Sequence, residues 1–404
     1  MDRKILALGL TWNTAETMIR VMVGFIAGIA VARYLQPENF GIFVQVLALF
    51  SLLNAFSGLG LEVPLINELK NKPSQQNVII GTAISLRLLA SLLLILPFLA
   101  AGIVQIGDAR TMVVYSSLLL FQPLSCLFLF RSYFLSIGKP QVPSIFLIGS
   151  VLSSFLLKLV GVYAKMPTEY FIATILIEWL ALSGLYVNKI TFSQISILIK
   201  SSSKSYAKKL LHISLPLMWS SITFVLLLNV DKVILPQVLD NGSDFGRYAF
   251  ASRISALFHM IPGVLLISLF PTLNLAPDNV ADIRKKLCIA FSGLGILALI
   301  CAVVLFTKGD KIFSLLVGDG YRGSGGIAAA LMLSNIFVSA FSCYSYFNVM
   351  REKTPRTFII NLVSLVAFVP LLMILASAYG VWGAPLALFV SYFLGFVSIF
   401  MFEK

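Results

Sequence analysis

Charge is what this chain has least of. Only 12% of its 404 residues are Asp, Glu, Lys or Arg, about half the share of an average soluble domain. No stretch is polar enough to form a separate solvated domain, and 59% of positions are hydrophobic at a mean hydropathy of +0.95. A soluble globule, a disordered chain, a coiled coil and a collagen-like fibre are excluded by that balance. Histidine is nearly absent, at 2 residues, and the 4 cysteines (Cys126, Cys288, Cys301, Cys343) contain no Cys-x-x-Cys and lie beside no His pair. They read as buried packing thiols, so neither a disulfide, a metal site nor a cofactor is expected. Acidic residues are few, 17 against 30 basic ones, a net charge of +13. No basic block stands apart from the apolar runs, which argues against a nucleic-acid partner and makes the excess a topology signal. Arg3 and Lys4 precede a short apolar run that ends at Thr11–Asn13 without a small-residue cleavage pattern, so no signal peptide is read.

What the sequence does hold is apolar runs of membrane-crossing length. About 20 such residues in a helix cross roughly 30 Å of hydrocarbon. Cutting at polar and Pro/Gly clusters predicts twelve spans, at 11–32, 42–64, 78–101, 111–135, 142–164, 169–188, 213–236, 246–270, 287–307, 326–349, 357–377 and 382–402. The expected fold is therefore an all-α polytopic membrane protein. Twelve spans place both ends of the chain on one side. Connections on that side hold eighteen of the 30 basic residues, against seven on the other. Positive charge is retained in the cytoplasm during insertion, so both termini are expected there.

The longest connection, 189–212, carries Ser201, Ser202 and Ser203 followed by Lys204, Lys208 and Lys209, with Tyr206, Leu210 and Leu211 available for another face. It reads either as a linker whose lysines set topology or as a short helix lying on an anionic leaflet of the bilayer. It divides the chain into six-span bundles at 1–188 and 213–404. After the first span the sequence reads Leu35-Gln36-Pro37-Glu38-Asn39-Phe40-Gly41-Ile42-Phe43, and after the seventh Leu239-Asp240-Asn241-Gly242-Ser243-Asp244-Phe245-Gly246-Arg247-Tyr248. Each is an acidic turn, then Phe-Gly, then an aromatic residue two positions on. Matching elements after an even number of spans imply a parallel repeat, an arrangement in which transporters keep substrate between their halves and alternate its access.

Apart from Arg131 and Arg247, which stand near span ends and are counted with the connections, five cations fall inside spans: Arg20, Arg87, Lys158, Lys232 and Arg253. One central Arg or Lys costs about 2.5–3.5 kcal/mol to insert, so five facing lipid would cost on the order of 12–17 kcal/mol. A whole fold is worth about 5–15 kcal/mol. Most of the five should therefore meet water or acids, and the acids available are Glu16, Glu178 and Asp231, with Glu62 near a span end. A net-positive wet interior suits an anionic cargo. In the first span Asn13, Thr17, Arg20, Gly24 and Gly28 form one small and polar stripe, and Glu16 stands four residues from Arg20, the spacing of a direct pair. Arg87 has no acid within a turn. Asp231 and Lys232, being adjacent, are expected to point apart. His259, deeper than Arg253, reads as a hydrogen-bonded packing residue.

Three further segments complete a pattern. Asn229-Val230-Asp231-Lys232-Val233-Ile234-Leu235 lies in the seventh span, Leu269-Phe270-Pro271-Thr272-Leu273 ends the eighth, and Tyr379-Gly380-Val381-Trp382-Gly383-Ala384-Pro385-Leu386-Ala387 precedes the last. Together with the two Phe-Gly elements, and in this order, they resemble the polysaccharide flippases of the MOP exporter superfamily, the Wzx-type O-antigen and capsule-unit translocases. Lys232 stands where that family's Asp-Arg stretch has Arg. The resemblance implies a MATE-like fold and a non-enzymatic carrier in a bacterial inner membrane. Its cargo would be an undecaprenyl-diphosphate-linked saccharide, bound by Arg20, Arg87, Lys158, Lys232 and Arg253. It also implies antiport of a proton or sodium ion, with Asp231, Glu178 and Glu16 as the available carboxylates, and a polysaccharide polymerase as a candidate partner. A drug/cation antiporter of the same superfamily would need an acidic cavity, which the basic excess disfavours. A membrane polymerase or glycosyltransferase would need a catalytic outer loop; the largest expected here, 308–325, is glycine-rich and shows no nucleophile context.

Overall fold

The computed structural model describes residues 3–190, 192–258, 261, 280–350 and 354–402. Among them the chain is helical throughout, without a strand: α1 (Arg3–Ser57), α2 (Glu62–Asn71), α3 (Gln76–Gln105), α4 (Ala109–Phe121), a 3₁₀ segment (Gln122–Leu129), α5 (Phe130–Ser136), α6 (Gln141–Tyr163), α7 (Thr168–Ile190), α8 (Phe192–Lys200), α9 (Lys204–Val238), α10 (Gly242–Phe258), α11 (Val280–Val317), α12 (Ser324–Met350), α13 (Thr354–Tyr379) and α14 (Gly383–Phe402). Eight stretches of the described residues are long and apolar enough to cross a membrane. Two of these, Thr11–Asn71 and Phe358–Ser398, each run through a pair of the spans expected from the sequence. The span expected at 246–270 is described to Phe258 and at residue 261; its remainder, with His259 and the segment Leu269 to Leu273, lies outside the described residues. Side chains such as Leu93, Leu96, Val104 and Phe306 are exposed on these helices, which in water would be untenable and in acyl chains is neutral. This is a multi-pass membrane protein with an all-α fold.

By internal contacts the chain forms two compact units, Met1–Val31 with Val46–Ile222 and Ala32–Gln45 with Thr223–Lys404. Two local breaks shape the first spans. Gln36, at φ 60° and ψ 169°, interrupts α1 because it precedes Pro37; the proline ring disfavours helical backbone before it and removes one hydrogen-bond donor. The Gln36 side chain donates to the Arg33 carbonyl at 2.8 Å across that bend. The second break follows Ser57, where Leu59 (φ 51°) and Gly60 (φ 62°) are left-handed before the chain restarts as α2. A Cβ at Gly60 would stand 2.6 Å from the Met218 amide nitrogen, so glycine alone fits.

In the first unit Leu61, Leu65, Ile79, Ile84, Phe130 and Tyr186 form the heart of a core against which α8 buries Ile195 and Leu198. Gly81 makes that docking possible, since a Cβ there would overlap the Leu198 carbonyl oxygen. Ser203 donates its amide to Thr82 Oγ1 at 3.1 Å, and Lys200, Lys204 and Lys208 stay exposed. In the second unit the two Phe-Gly elements pack directly on each other: Gly246 lies against the Pro37 carbonyl, Gly41 against Phe245. Phe40, Phe250 and Tyr321 close over that contact edge to face, and Tyr321 Oη donates to the Ala32 carbonyl at 2.9 Å.

Candidate functional site

Inside a span an ionised side chain persists only with a counter-charge, hydrogen bonds or water. In the second unit α9 carries Asp231, 2% exposed. Its carboxylate accepts Lys232 Nζ at 2.9 and 3.1 Å and Tyr248 Oη, from α10, at 2.6 Å. The adjacent pair therefore does not diverge as the sequence suggested. The Cα–Cβ vectors do, but the four-carbon lysine stem folds back far enough for Nζ to meet both the carboxylate and the Leu228 carbonyl, at 2.7 Å. Beside the pair lies a cavity of about 40 Å³, lined by Ser252, Ser255, Ser334 and Tyr392 among apolar residues. That is room for a few water molecules or a small ion, and far too little for a sugar. Arg253 lies half-buried in the next turn of α10.

In the first unit Glu16 is 2% exposed and does not pair with Arg20. It accepts Arg131 Nη1 at 2.7 Å and Ser144 Oγ at 2.8 Å, while Arg131 Nη2 donates to Asn13 Oδ1 at 3.2 Å. Arg131, from α5, enters on the buried side of α1; Arg20 projects to the exposed side and has no ion pair among the described residues. Sequence reasoning counted Arg131 among the topology-setting cations because it stands near a span end. Nothing in one sequence brings residue 131 to residue 16.

Arg87, on α3, is 5% exposed. Its Nε and Nη1 find no acceptor. The nearest carboxylate, Glu62 Oε1 in the first turn of α2, stands 3.9 Å from Nη1, and the Glu62 side chain is 63% exposed. Ahead of the break after Ser57, Gln122 donates to Asn54 Oδ1 at 3.2 Å and Ser57 Oγ at 2.8 Å. Lys158 donates to Ser154 Oγ at 2.9 Å on α6. Glu178, half-buried on α7, has no hydrogen bond or ion pair among the described residues. Of the eight expected residues, Arg20, Arg87, Lys158, Glu16 and Glu178 belong to the first unit and Lys232, Arg253 and Asp231 to the second. Tyr248 and Arg131 are the partners the sequence did not reveal, although Tyr248 closes the repeated Phe-Gly element; Glu62 was visible as an available acid but not as the neighbour of Arg87.

A fourth group lies beyond the apolar runs, where α2 ends and α9 begins. Glu68 accepts Lys209 Nζ at 2.7 Å and the Tyr206 hydroxyl, with Lys72 at 3.8 Å. Both ammonium groups sit over the Tyr206 ring, 5.3 and 5.6 Å from its centre. Burial opposes the Glu68 charge, but the hydrogen bonds from Lys209 and Tyr206 outweigh it and hold the carboxyl below its ordinary value. Burial and the Glu68 contact push the Tyr206 hydroxyl up to about 12.

The all-helical fold is that of solved members of the MOP exporter superfamily. It aligns with an inward-facing multidrug resistance MATE family transporter of that superfamily at a TM-score of 0.68 and 12% identity, over 94% of this chain and 93% of the other. It aligns with the lipid II flippase MurJ in an inward closed conformation at 0.73 and 16% identity, over 97% and 87%. Residues 6–275 match the polysaccharide biosynthesis protein family, and the chain belongs to it. A probable flippase, AglR of Haloferax volcanii, is 30% identical over 156 residues, 37% of this chain; the match spans about a third, 32%, of that relative. The family read from the Phe-Gly and Asp-Lys elements is thereby borne out.

Proposed function

We propose that the chain is a flippase that moves undecaprenyl-diphosphate-linked oligosaccharide units from the cytoplasmic to the periplasmic leaflet of a bacterial inner membrane. It works by alternating access of its two six-span halves around a cationic interior, with antiport of a proton or sodium ion. The observation that carries the reading is the family match over residues 6–275. The cations give it a mechanism. Arg87 holds donors to spare inside a span, and Arg20 holds a whole guanidinium. A diphosphate entering hydrocarbon needs such partners, because an unpaired buried charge is prohibitive. Lys158, Lys232 and Arg253 are the remaining span cations open to the same role, and the polyprenyl tail stays in lipid.

The carboxylates divide the coupling role unequally. Asp231, beside a cavity of ion size, is the leading coupling group; Glu16 is committed to Arg131 and Ser144, and Glu178 is the spare. Replacing Arg87 or Arg20 with Ala is expected to abolish surface polysaccharide export while the protein still accumulates in the membrane. Normal export in both variants overturns the site. Transport in proteoliposomes that ignores collapsed proton and sodium gradients removes the coupling part alone.

A further inference from the structure

We propose that Glu62 is an internal stand-in for the cargo's anionic group: its carboxylate covers an anion subsite built on Arg87 and leaves when a phosphate-type anion arrives. The identity of the anion rests on the flippase reading; the covered subsite rests on geometry.

Two ion pairs in the same unit show what distinguishes a structural pair from a stand-in. Glu16 and Arg131 close to 2.7 Å, with the carboxylate 2% exposed and a second donor from Ser144. Glu62 stops 3.9 Å short of Arg87, beyond hydrogen-bond distance. Its carboxylate has no other partner among the described residues; only its backbone carbonyl is used, by Ser132 Oγ at 3.1 Å. The exposure is inverted as well: here the guanidinium is buried and the carboxylate is 63% exposed. Arg87 therefore has its charge offset while Nε and Nη1 remain without acceptors. A guanidinium offers five donors, and leaving buried donors unmade is a standing penalty that an oxyanion with several acceptor oxygens relieves.

The backbone around Glu62 fits the same role. It opens the first turn of α2, whose positive end favours a second negative oxygen. Directly before it run the left-handed Leu59 and Gly60. A glutamate at a helix start after such a break can swing outward by side-chain rotation alone, uncovering Arg87 without moving α3. The expected ligand is a phosphate or diphosphate group, held by Arg87 and competing with Glu62 for it.

Competition fixes the sign of the test. Full-length protein in detergent would be titrated with inorganic pyrophosphate, read by thermal shift and tryptophan fluorescence. Glu62→Gln should bind it more tightly, by up to about fivefold, the worth of removing one competing exposed carboxylate. Arg87→Gln should lose the response, and Arg87→Lys, which keeps charge and fold but not the planar fork, should weaken it several-fold. Unchanged or weaker binding in Glu62→Gln, or no pyrophosphate response in either it or the unaltered protein, overturns the proposal. If Glu62→Gln tightens binding but Arg87→Gln cells export surface polysaccharide normally, the subsite stands and the lipid-linked saccharide as its ligand falls.

Discussion

Lys232 reaches back to Asp231 because its neighbours leave it no better choice: Nζ inside a span needs acceptors, and the Leu228 carbonyl and the adjacent carboxylate provide them at 2.7 and 2.9 Å. Removing one member strands the other. Asp231→Asn is expected to lower stability by about 3–5 kcal/mol, the usual outcome of breaking a buried pair. Combining it with Lys232→Met should recover much of that loss, since no charge is then left to shelter. Denaturation of the single and double variants in detergent measures the coupling; additive losses would mean the pair is not a unit. At this scale the sequence was half legible. Charges within spans announce themselves by where they stand, so Asp231, Arg87 and Glu16 were all visible. Their partners were not, because Arg131 and Tyr248 reach them through the fold, and because a flexible lysine stem overrides the direction its backbone suggests.

Gly246 shows how much one element depends on another. An ideal Cβ there would lie 1.7 Å from the Pro37 carbonyl oxygen, whereas one at Gly24 would meet nothing within 4 Å. Gly246→Ala should therefore destabilise the second unit by at least the 1–3 kcal/mol typical of overpacking, and Gly24→Ala should leave the thermal midpoint nearly unchanged. Equal effects would show that the Phe-Gly elements do not bear on each other. The repetition of those elements could be read from the sequence because acidic turns, Phe-Gly and a following aromatic are local. Their mutual contact could not, nor could the interruption at Leu59 within the span expected at 42–64, since leucine carries no sign of a left-handed backbone.

For the molecule as a whole, the charge excess that set the expected topology also leaves few carboxylates to sense acid. Among the described residues Glu68 is the one outside the expected spans with two cationic neighbours. A carboxyl held below its ordinary value contributes stability above the unfolded value of about 4.3, and that contribution is lost as pH falls through the folded value. Thermal stability should thus be insensitive to this cluster between about pH 6 and 8 and fall on further acidification, by less than about 1 kcal/mol because the lysines are partly exposed. Glu68→Gln should flatten that acid limb; an unchanged limb would assign it elsewhere. The spans were legible at this scale because apolar length is a property of composition. Their pairing into two units was less so: residues 32–45 group with the second unit although they lie in the first sequence half. One further dimension matters in practice. α11 has 38 residues, about 57 Å of helix, and its opening turns carry Asp282, Arg284, Lys285 and Lys286 in the sequence. Even a 40° lean cannot sink that length in a 30 Å slab, so this charged end is the part expected to stand clear of the acyl chains, a grip for an antibody fragment used as an imaging fiducial.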